Sequence, residues 1–167
     1  MSLMSAIGLS SDATELLKTD HRGVETMIAT LEGYAGKDSE TEFPNPVFLQ
    51  MKEALTLHAL AEEQIFYPEL KNYPETAELV PEAYEEHQDV KDLLEKMTAV
   101  SPSTSEFQHM LTELKNDLTH HVSEEEQDMF VKAKQAMGET RLAEVGRQIQ
   151  EFKKRENDDL AAAASSM

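Results

Sequence analysis

The chemistry in this chain is carried by histidines and glutamates at repeated spacings. His58-x-x-x-Glu62 and His121-x-x-x-Glu125 each place an imidazole and a carboxylate four residues apart. On a helix that spacing puts both groups on one face, one turn apart and pointing the same way. Each pair can offer a nitrogen to one metal ion while its carboxylate bridges to a second. His21 and His87 supply two further nitrogens. Four imidazoles with two bridging carboxylates form a nitrogen and oxygen set that suits iron, with manganese or zinc as alternatives. An oxo or hydroxo bridge would offset more of the charge of two iron ions. The chain has no cysteine, which removes disulfides, iron–sulfur clusters, thiolate zinc sites and cysteine nucleophiles.

The elements that position these groups can be read from the punctuation. Asp12 with Glu15 three residues on caps a first helix, which Gly33 and Gly36 stop. A polar loop follows from Gly36 to Phe43. Asn45-Pro46 opens a second helix running to about Tyr67, where Pro68 should end or kink it. Pro74 and Thr76 begin a third helix, its firm part starting as late as Pro81, that reaches about Val100. Ser103 and Glu106 form a capping box for a fourth helix closed by Gly138. A fifth segment from Glu139 to about Asn157 keeps an apolar seam at Leu142, Val145, Ile149 and Phe152. The expected organisation is a flexible N-terminus over 1–11, a bundle over 12–137, an accessory helix over 139–157 and a disordered tail over 158–167. Long helices on short connections predict an all-α, up-down-up-down four-helix bundle with an additional C-terminal helix. That last helix could cover the bundle or mediate a homodimer.

Stepping three and four residues along each helix gives the buried seams. The first reads Leu17, His21, Val24, Ile28 and Leu31; the second Phe48, Met51, Leu55, His58, Glu62 and Ile65. The third reads Val80, Ala83 or Tyr84, His87, Val90, Leu94 and Met97; the fourth Phe107, Leu111, Leu114, Leu118, His121, Glu125 and Met129. Each seam is apolar except near its middle, where it carries one histidine, and two of them also carry a glutamate. A lone seam histidine is usually a hydrogen-bonded core residue. A buried carboxylate is harder to accommodate, because desolvating its charge costs several kcal/mol without a partner. The basic residues fall mostly on outer faces, and a cation answers the need of Glu62 and Glu125. In antiparallel helices, His21, His58 and His87 fall at matching heights within about one turn; His121 lies further along a longer helix. His109, and His120 with Glu124, are assigned to solvent-facing positions, the latter with a supporting role as the alternative. Glu124-Glu125-Glu126 reads mostly as a solvated charge run, and Met51, Met97 and Met129 as core filler.

Composition sets the outer limits. Forty per cent hydrophobic and 29% charged residues are globular values. A net charge of −18 disfavours nucleic-acid or anionic-membrane partners and suits cation capture. No apolar run approaches the ~20 residues of a membrane helix, and the opening residues lack a signal-peptide pattern, so a cytoplasmic location is expected.

The motifs together resemble the hemerythrin-like (HHE cation-binding) family over about residues 12–137. The resemblance rests on Asp20-His21, on His58-Ala-Leu-Ala-Glu62-Glu63-Gln-Ile-Phe-Tyr-Pro68, on Glu86-His87, and on His121-Val-Ser-Glu-Glu125-Glu126 with Met129-Phe130. It implies a four-helix bundle around a non-haem di-iron centre. It also implies a small diatomic ligand, O2 or NO, bound for carriage, sensing or stress defence. Peroxide or nitric-oxide detoxification and iron-centre repair are enzymatic alternatives, and a metal-free acidic helical adaptor is the non-catalytic one. The oxygen carriers of the family use a fifth histidine one turn from the one on the third helix. Here Ala83 and Lys91 flank His87 at four residues, so that ligand is missing, and water, Glu63 or Tyr84 could take its place. Ferritin-type bundles use Glu-x-x-His in their sites, a pattern that occurs in this chain only at Glu106-Phe-Gln-His109, on a polar face away from the seams.

Overall fold

The computed structural model describes residues 11–37 and 43–165. Its helices are α1 (Ala13–Glu32), α2 (Pro46–Ala61), α3 (Tyr67–Leu70), α4 (Pro74–Ala77), α5 (Val80–Met97), α6 (Ser105–Glu124) and α7 (Phe130–Ser165). Two π-helical turns, Glu62–Phe66 and Glu125–Met129, join α2 to α3 and α6 to α7 without a break. Helix α1 packs on α2 and α6, and α5 packs on α6 and α2. The ring of neighbours therefore follows chain order, as an up-down-up-down bundle requires. Among the described residues, no helix is long and apolar enough to cross a membrane.

The ends follow local chemistry. The Asp12 carboxylate accepts from the Glu15 amide, and the Asn45 side chain accepts from the amides of Val47 and Phe48, with Pro46 in the first turn. The fourth-helix cap lies one residue beyond its expected place. Thr104, not Ser103, accepts from the Phe107 amide, while Ser103 is buried against Ser101. Pro68 ends nothing: the preceding π turn, in which the Tyr67 amide reaches back to the Glu62 carbonyl, carries the helix past it to Leu70. A wider turn bonds at i−5, so the ring of Pro68 meets a backbone already opened. Pro74–Ala77 forms a short helix of its own, and the firm third bundle helix begins at Val80.

The core comes in two halves. One gathers Leu31, Ile28, Phe48, Met51, Leu94, Met97, Phe107 and Leu114; the other gathers Leu17, Ala61, Phe66, Tyr67, Val80, Met129 and Phe130. Along every bundle helix, the polar seam residues lie between these halves. Both π turns shift the seam by one residue. Phe66 is fully buried in place of the expected Ile65, and Phe130 joins Met129 inside.

Gly138 takes a positive φ of 79° and breaks the path between the bundle and the final stretch of α7. That stretch folds back on the bundle. Leu142, Val145, Ile149 and Phe152 are all buried within this chain, so the seam considered for a homodimer is already covered. The helix also runs on to Ser165, beyond the expected boundary at 157 and through most of the expected tail. Apart from Ser11, the expected flexible N-terminus falls outside the described residues, as do residues 166–167.

Gly146 sets how closely α7 approaches α1. A Cβ there would lie 2.9 Å from the Ala13 nitrogen and 3.0 Å from the Ser11 carbonyl oxygen. Backbone cannot step aside as a side-chain tip can. Gly146→Ala should therefore cost about 1–3 kcal/mol, although alanine is the better helix former by about 1 kcal/mol. Gly23, on α1 with nothing within 4 Å of its built Cβ, is the control. Gly23→Ala should raise the Tm where Gly146→Ala lowers it, read by thermal denaturation.

Candidate metal centre

The six sequence-derived groups meet. His21, His58, Glu62 and Glu125 can present ligand atoms within 4.8 Å of one another, and so can Glu62, His87 and His121. All six side chains are buried, Glu62 completely and Glu125 to 1% exposure. His21 and Glu125 face across 3.2 Å, His58 and Glu62 across 3.1 Å, His87 and Glu62 across 3.1 Å, and His121 and Glu125 across 3.4 Å. Glu62 belongs to both groups and so stands between two pairs of imidazoles. His121, the one histidine out of step in the sequence count, reaches the same level because α6 continues unbroken through its π turn. Those turns begin at Glu62 and Glu125 themselves.

Each histidine is held from behind by an acid on a neighbouring helix. His58 Nδ1 donates to Asp20 at 2.8 Å, and His87 Nδ1 to Glu63 at 2.8 Å. His121 Nδ1 donates to Glu86 at 2.7 Å, and His21 Nδ1 to Glu126 at 2.7 Å. The acids thus run in a ring: the first bundle helix orients the histidine of the second, the second that of the third, the third that of the fourth, and the fourth that of the first. With Nδ1 engaged, every Nε2 is turned inward, and a carboxylate behind an imidazole makes it a better ligand. The sequence motifs contain these acids beside the ligands, but their partners could not be read there. Glu126, part of the run read as solvated, serves this ring, while Glu125 is buried and only Glu124 is exposed.

The ring is braced from outside. Arg22 donates to Glu126 at 2.6 Å, and Lys91 pairs with Glu63 at 3.2 Å. Lys153, on the C-terminal stretch of α7, pairs with Asp20. The added helix thus buttresses the acid that orients His58.

Tyr67 is the residue the sequence reading missed. Its ring is fully buried, its hydroxyl donates to Glu125 at 2.6 Å, and the same oxygen lies 3.2 Å from His87 Nε2. It stands beside His87, the histidine whose one-turn neighbour is absent from the third bundle helix. The two side chains considered for the missing fifth ligand are engaged elsewhere: Glu63 holds His87 from behind, and the Tyr84 hydroxyl donates to the Glu63 backbone carbonyl at 3.0 Å. A signal was present. Tyr67 follows His58 by nine residues, just as Phe130 follows His121. Phe130 stacks beside His21 as Tyr67 lies beside His87, so the two halves differ there by one hydroxyl.

Inside the ring the polar groups are incompletely satisfied. His21 Nε2, His58 Nε2, His121 Nε2, Glu62 Oε2 and Glu125 Oε1 are buried and make no well-aligned hydrogen bond, although His21 and Glu125 lie 3.2 Å apart, His58 and Glu62 3.1 Å and His121 and Glu125 3.4 Å. Buried polar atoms are rarely left so, and these five converge on one volume. The donor set is nitrogen and carboxylate oxygen, which fits iron, manganese or zinc. By contrast His109 is exposed and His120 is 64% exposed, as expected from their faces.

Without metal, protons partly fill the role of the cations. Burial opposes charge on His58, but Glu62 and Asp20 outweigh it and push the imidazole up to about 10. His121 is raised in the same sense, burial being overcome by Glu125, Glu62 and Glu86. Burial also opposes the Glu62 carboxylate, yet His58 and His121 hold it well below its usual range. Glu125 is raised by burial and by the charge of Glu62. A group with a raised folded-state value stabilises fully below its unfolded value and loses that contribution as pH rises through the folded one. For His58 the window lies between 6.5 and about 10. The Tm of metal-free protein should fall across it by roughly 5–10 °C, while metal affinity rises as protons leave the ligands. A Tm that stays flat or climbs in the metal-free protein would contradict this.

Comparisons with known proteins agree with the geometry. Residues 12–133 match the family described as Hemerythrin HHE cation binding domain. An uncharacterized hemerythrin-like protein of Schizosaccharomyces pombe is 31% identical over 110 residues, 65% of this chain and 52% of that protein. A protein named DNA nickase from Nostoc sp. is 29% identical over 131 residues, 75% of this chain and 36% of its own length. The chain therefore spans about a third to a half of these curated relatives. The crystal structure of a hemerythrin HHE cation binding domain-containing protein from Mycobacterium kansasii superposes with a TM-score of 0.69 at 21% identity, covering 90% of this chain and 92% of that one. At that identity the likeness speaks for the fold alone.

Proposed function

Because the chain belongs to the hemerythrin HHE cation-binding domain family, we propose that its centre holds two iron ions and binds a small diatomic ligand, O2 or NO. His21 and His58 would serve one ion, His87 and His121 the other, with Glu62 and Glu125 between them. The five unpartnered inward atoms carry this reading, since two cations would satisfy all of them. When bound, the iron pair supplies reversible electron donation to a diatomic ligand. The protein supplies the surroundings.

A cavity of about 40 Å³ is lined by all four histidines together with Leu55, Val90, Leu94 and Leu118. Its size suits a diatomic molecule, and its apolar wall favours a neutral ligand over ions. The acid ring keeps each imidazole aimed inward, and Tyr67 keeps a proton at its hydroxyl, because burial and then Glu62 and Glu125 raise it well above its ordinary value.

That buried donor favours a second reading, turnover of peroxide or nitric oxide, in which Tyr67 would supply a hydrogen bond to the reacting molecule. The net charge of −18 repels phosphate, which disfavours DNA as a partner. Optical spectra separate the two readings. Protein loaded anaerobically with ferrous iron, then exposed to air or NO, should gain a visible band that reverses under vacuum if it binds a diatomic. No band in either gas would overturn diatomic binding. Peroxide consumption lost in both His58→Ala and Tyr67→Phe would favour the enzyme.

A further inference from the structure

A second opening reaches the centre from the opposite chemical direction. Between α5 and the α6–α7 junction lies a cavity of about 230 Å³. His121 and Glu125 form part of its wall, both more than nine-tenths buried and each with an unpartnered atom. The rest of its wall carries Glu82, Glu86, Glu124 and Asp128, with no lysine or arginine. Asp128 is paired with Lys132 at 2.9 Å, which leaves the three glutamates as the acidic wall.

Beside the cavity sits a second cluster of ligand type. Glu86, His120 and Glu124 can bring donor atoms within 4.8 Å of one another. His120 Nε2 lies 3.1 Å from Glu124 and 3.5 Å from Glu86. Glu86 therefore faces two ways, one oxygen toward His120 and the other bonded to His121 Nδ1 at 2.7 Å. The pattern His120-x-x-x-Glu124 repeats the ligand pattern one residue earlier, on the solvent side of the same helix. The cavity on the His58 side carries Lys91 and no carboxylate in its wall, so it attracts a hydrated cation less than the acidic one does.

We propose that the acidic cavity is the route by which divalent cations reach the dinuclear centre, and that Glu86, His120 and Glu124 form a transient cation site at its mouth. The inference rests on the dinuclear reading. An incoming ion exchanges part of its water for the exposed imidazole and carboxylates, then passes along Glu86 to the unpartnered atoms of His121 and Glu125. A cleft lined by charge of one sign raises the local concentration of the opposite charge and speeds association.

The test uses full-length metal-free protein and Co(II) alone, followed by stopped-flow absorption, with the final metal content measured separately. The variant is Glu82→Gln/His120→Ala/Glu124→Gln; Glu86 stays because it also holds His121. The expected result is uptake about tenfold slower and less sensitive to salt, with the final content equal to wild type. Uptake at the wild-type rate with unchanged final content would overturn the route alone. Failure of the wild type to take up Co(II) would overturn the dinuclear reading, and this one with it. Circular dichroism confirms that the variant is folded.

Discussion

Glu62→Gln is expected to leave the bundle folded and to reduce bound iron from about two ions per chain to one at most, with affinity lower by about 100-fold or more. Glu62 is the side chain shared by both groups of potential ligands. One of its oxygens lies 3.1 Å from His58 Nε2 and 3.1 Å from His87 Nε2, and the other has no partner. Glutamine keeps the volume, so the packing between the two core halves is preserved. It removes the negative charge that two cations would share and turns an amide donor toward atoms that should face metal. The same change removes the main charge holding His58 protonated, so the decline of metal-free Tm with pH should flatten as well. Calorimetric titration and metal analysis read the first effect, and melting at several pH values reads the second. Wild-type stoichiometry and affinity in this variant would remove Glu62 from the centre.

The second large effect is on stability. A ligand bound only by the folded state stabilises by about 4.1 kcal/mol when free ligand is a thousand times its Kd. For a chain of this size, that corresponds to a Tm rise of roughly 8–16 °C. The rise should be large here because the metal-free centre leaves five buried atoms unpartnered in one place, so binding removes a cost as well as adding contacts. Glu62→Gln/Glu125→Gln should show almost no rise under the same loading. An acidic adaptor with an internal polar network would behave differently, its melting unaltered by iron. The structure already bears on that alternative: the outer Nδ1 atoms are all satisfied, and the unpartnered atoms are all on the inner side.

The bundle and the six central groups were legible because both depend on helical period. A seam interrupted once by His and Glu on matching levels is a pattern in one dimension, and a four-helix ring has few ways to assemble it. What the period could not show were its own interruptions. Each π turn adds a residue to the turn, so Phe66 replaced Ile65 in the core and Tyr67 swung inward to Glu125. The ring of acids was hidden for another reason. Asp20, Glu63, Glu86 and Glu126 sit next to ligands in sequence, but each serves a histidine on a different helix. Thr104 displaced Ser103 as cap because either residue can serve, and local sequence alone does not separate neighbours of similar chemistry.

The C-terminal segment offered two readings from one seam, and burial of Leu142, Val145, Ile149 and Phe152 within the chain selects covering of the bundle. Its connection to the centre through Lys153 and Asp20 lay beyond sequence reach, since the two residues are 133 positions apart.

The central claim is that two iron ions lie at mid-height, between Glu62 and Glu125. Anomalous diffraction at the iron edge, from crystals of protein loaded with ferrous iron, tests it directly. The account predicts two strong peaks inside the bundle, one beside His21 and His58 and the other beside His87 and His121. Iron found only on the acidic surface, with the space between those carboxylates empty, would contradict it.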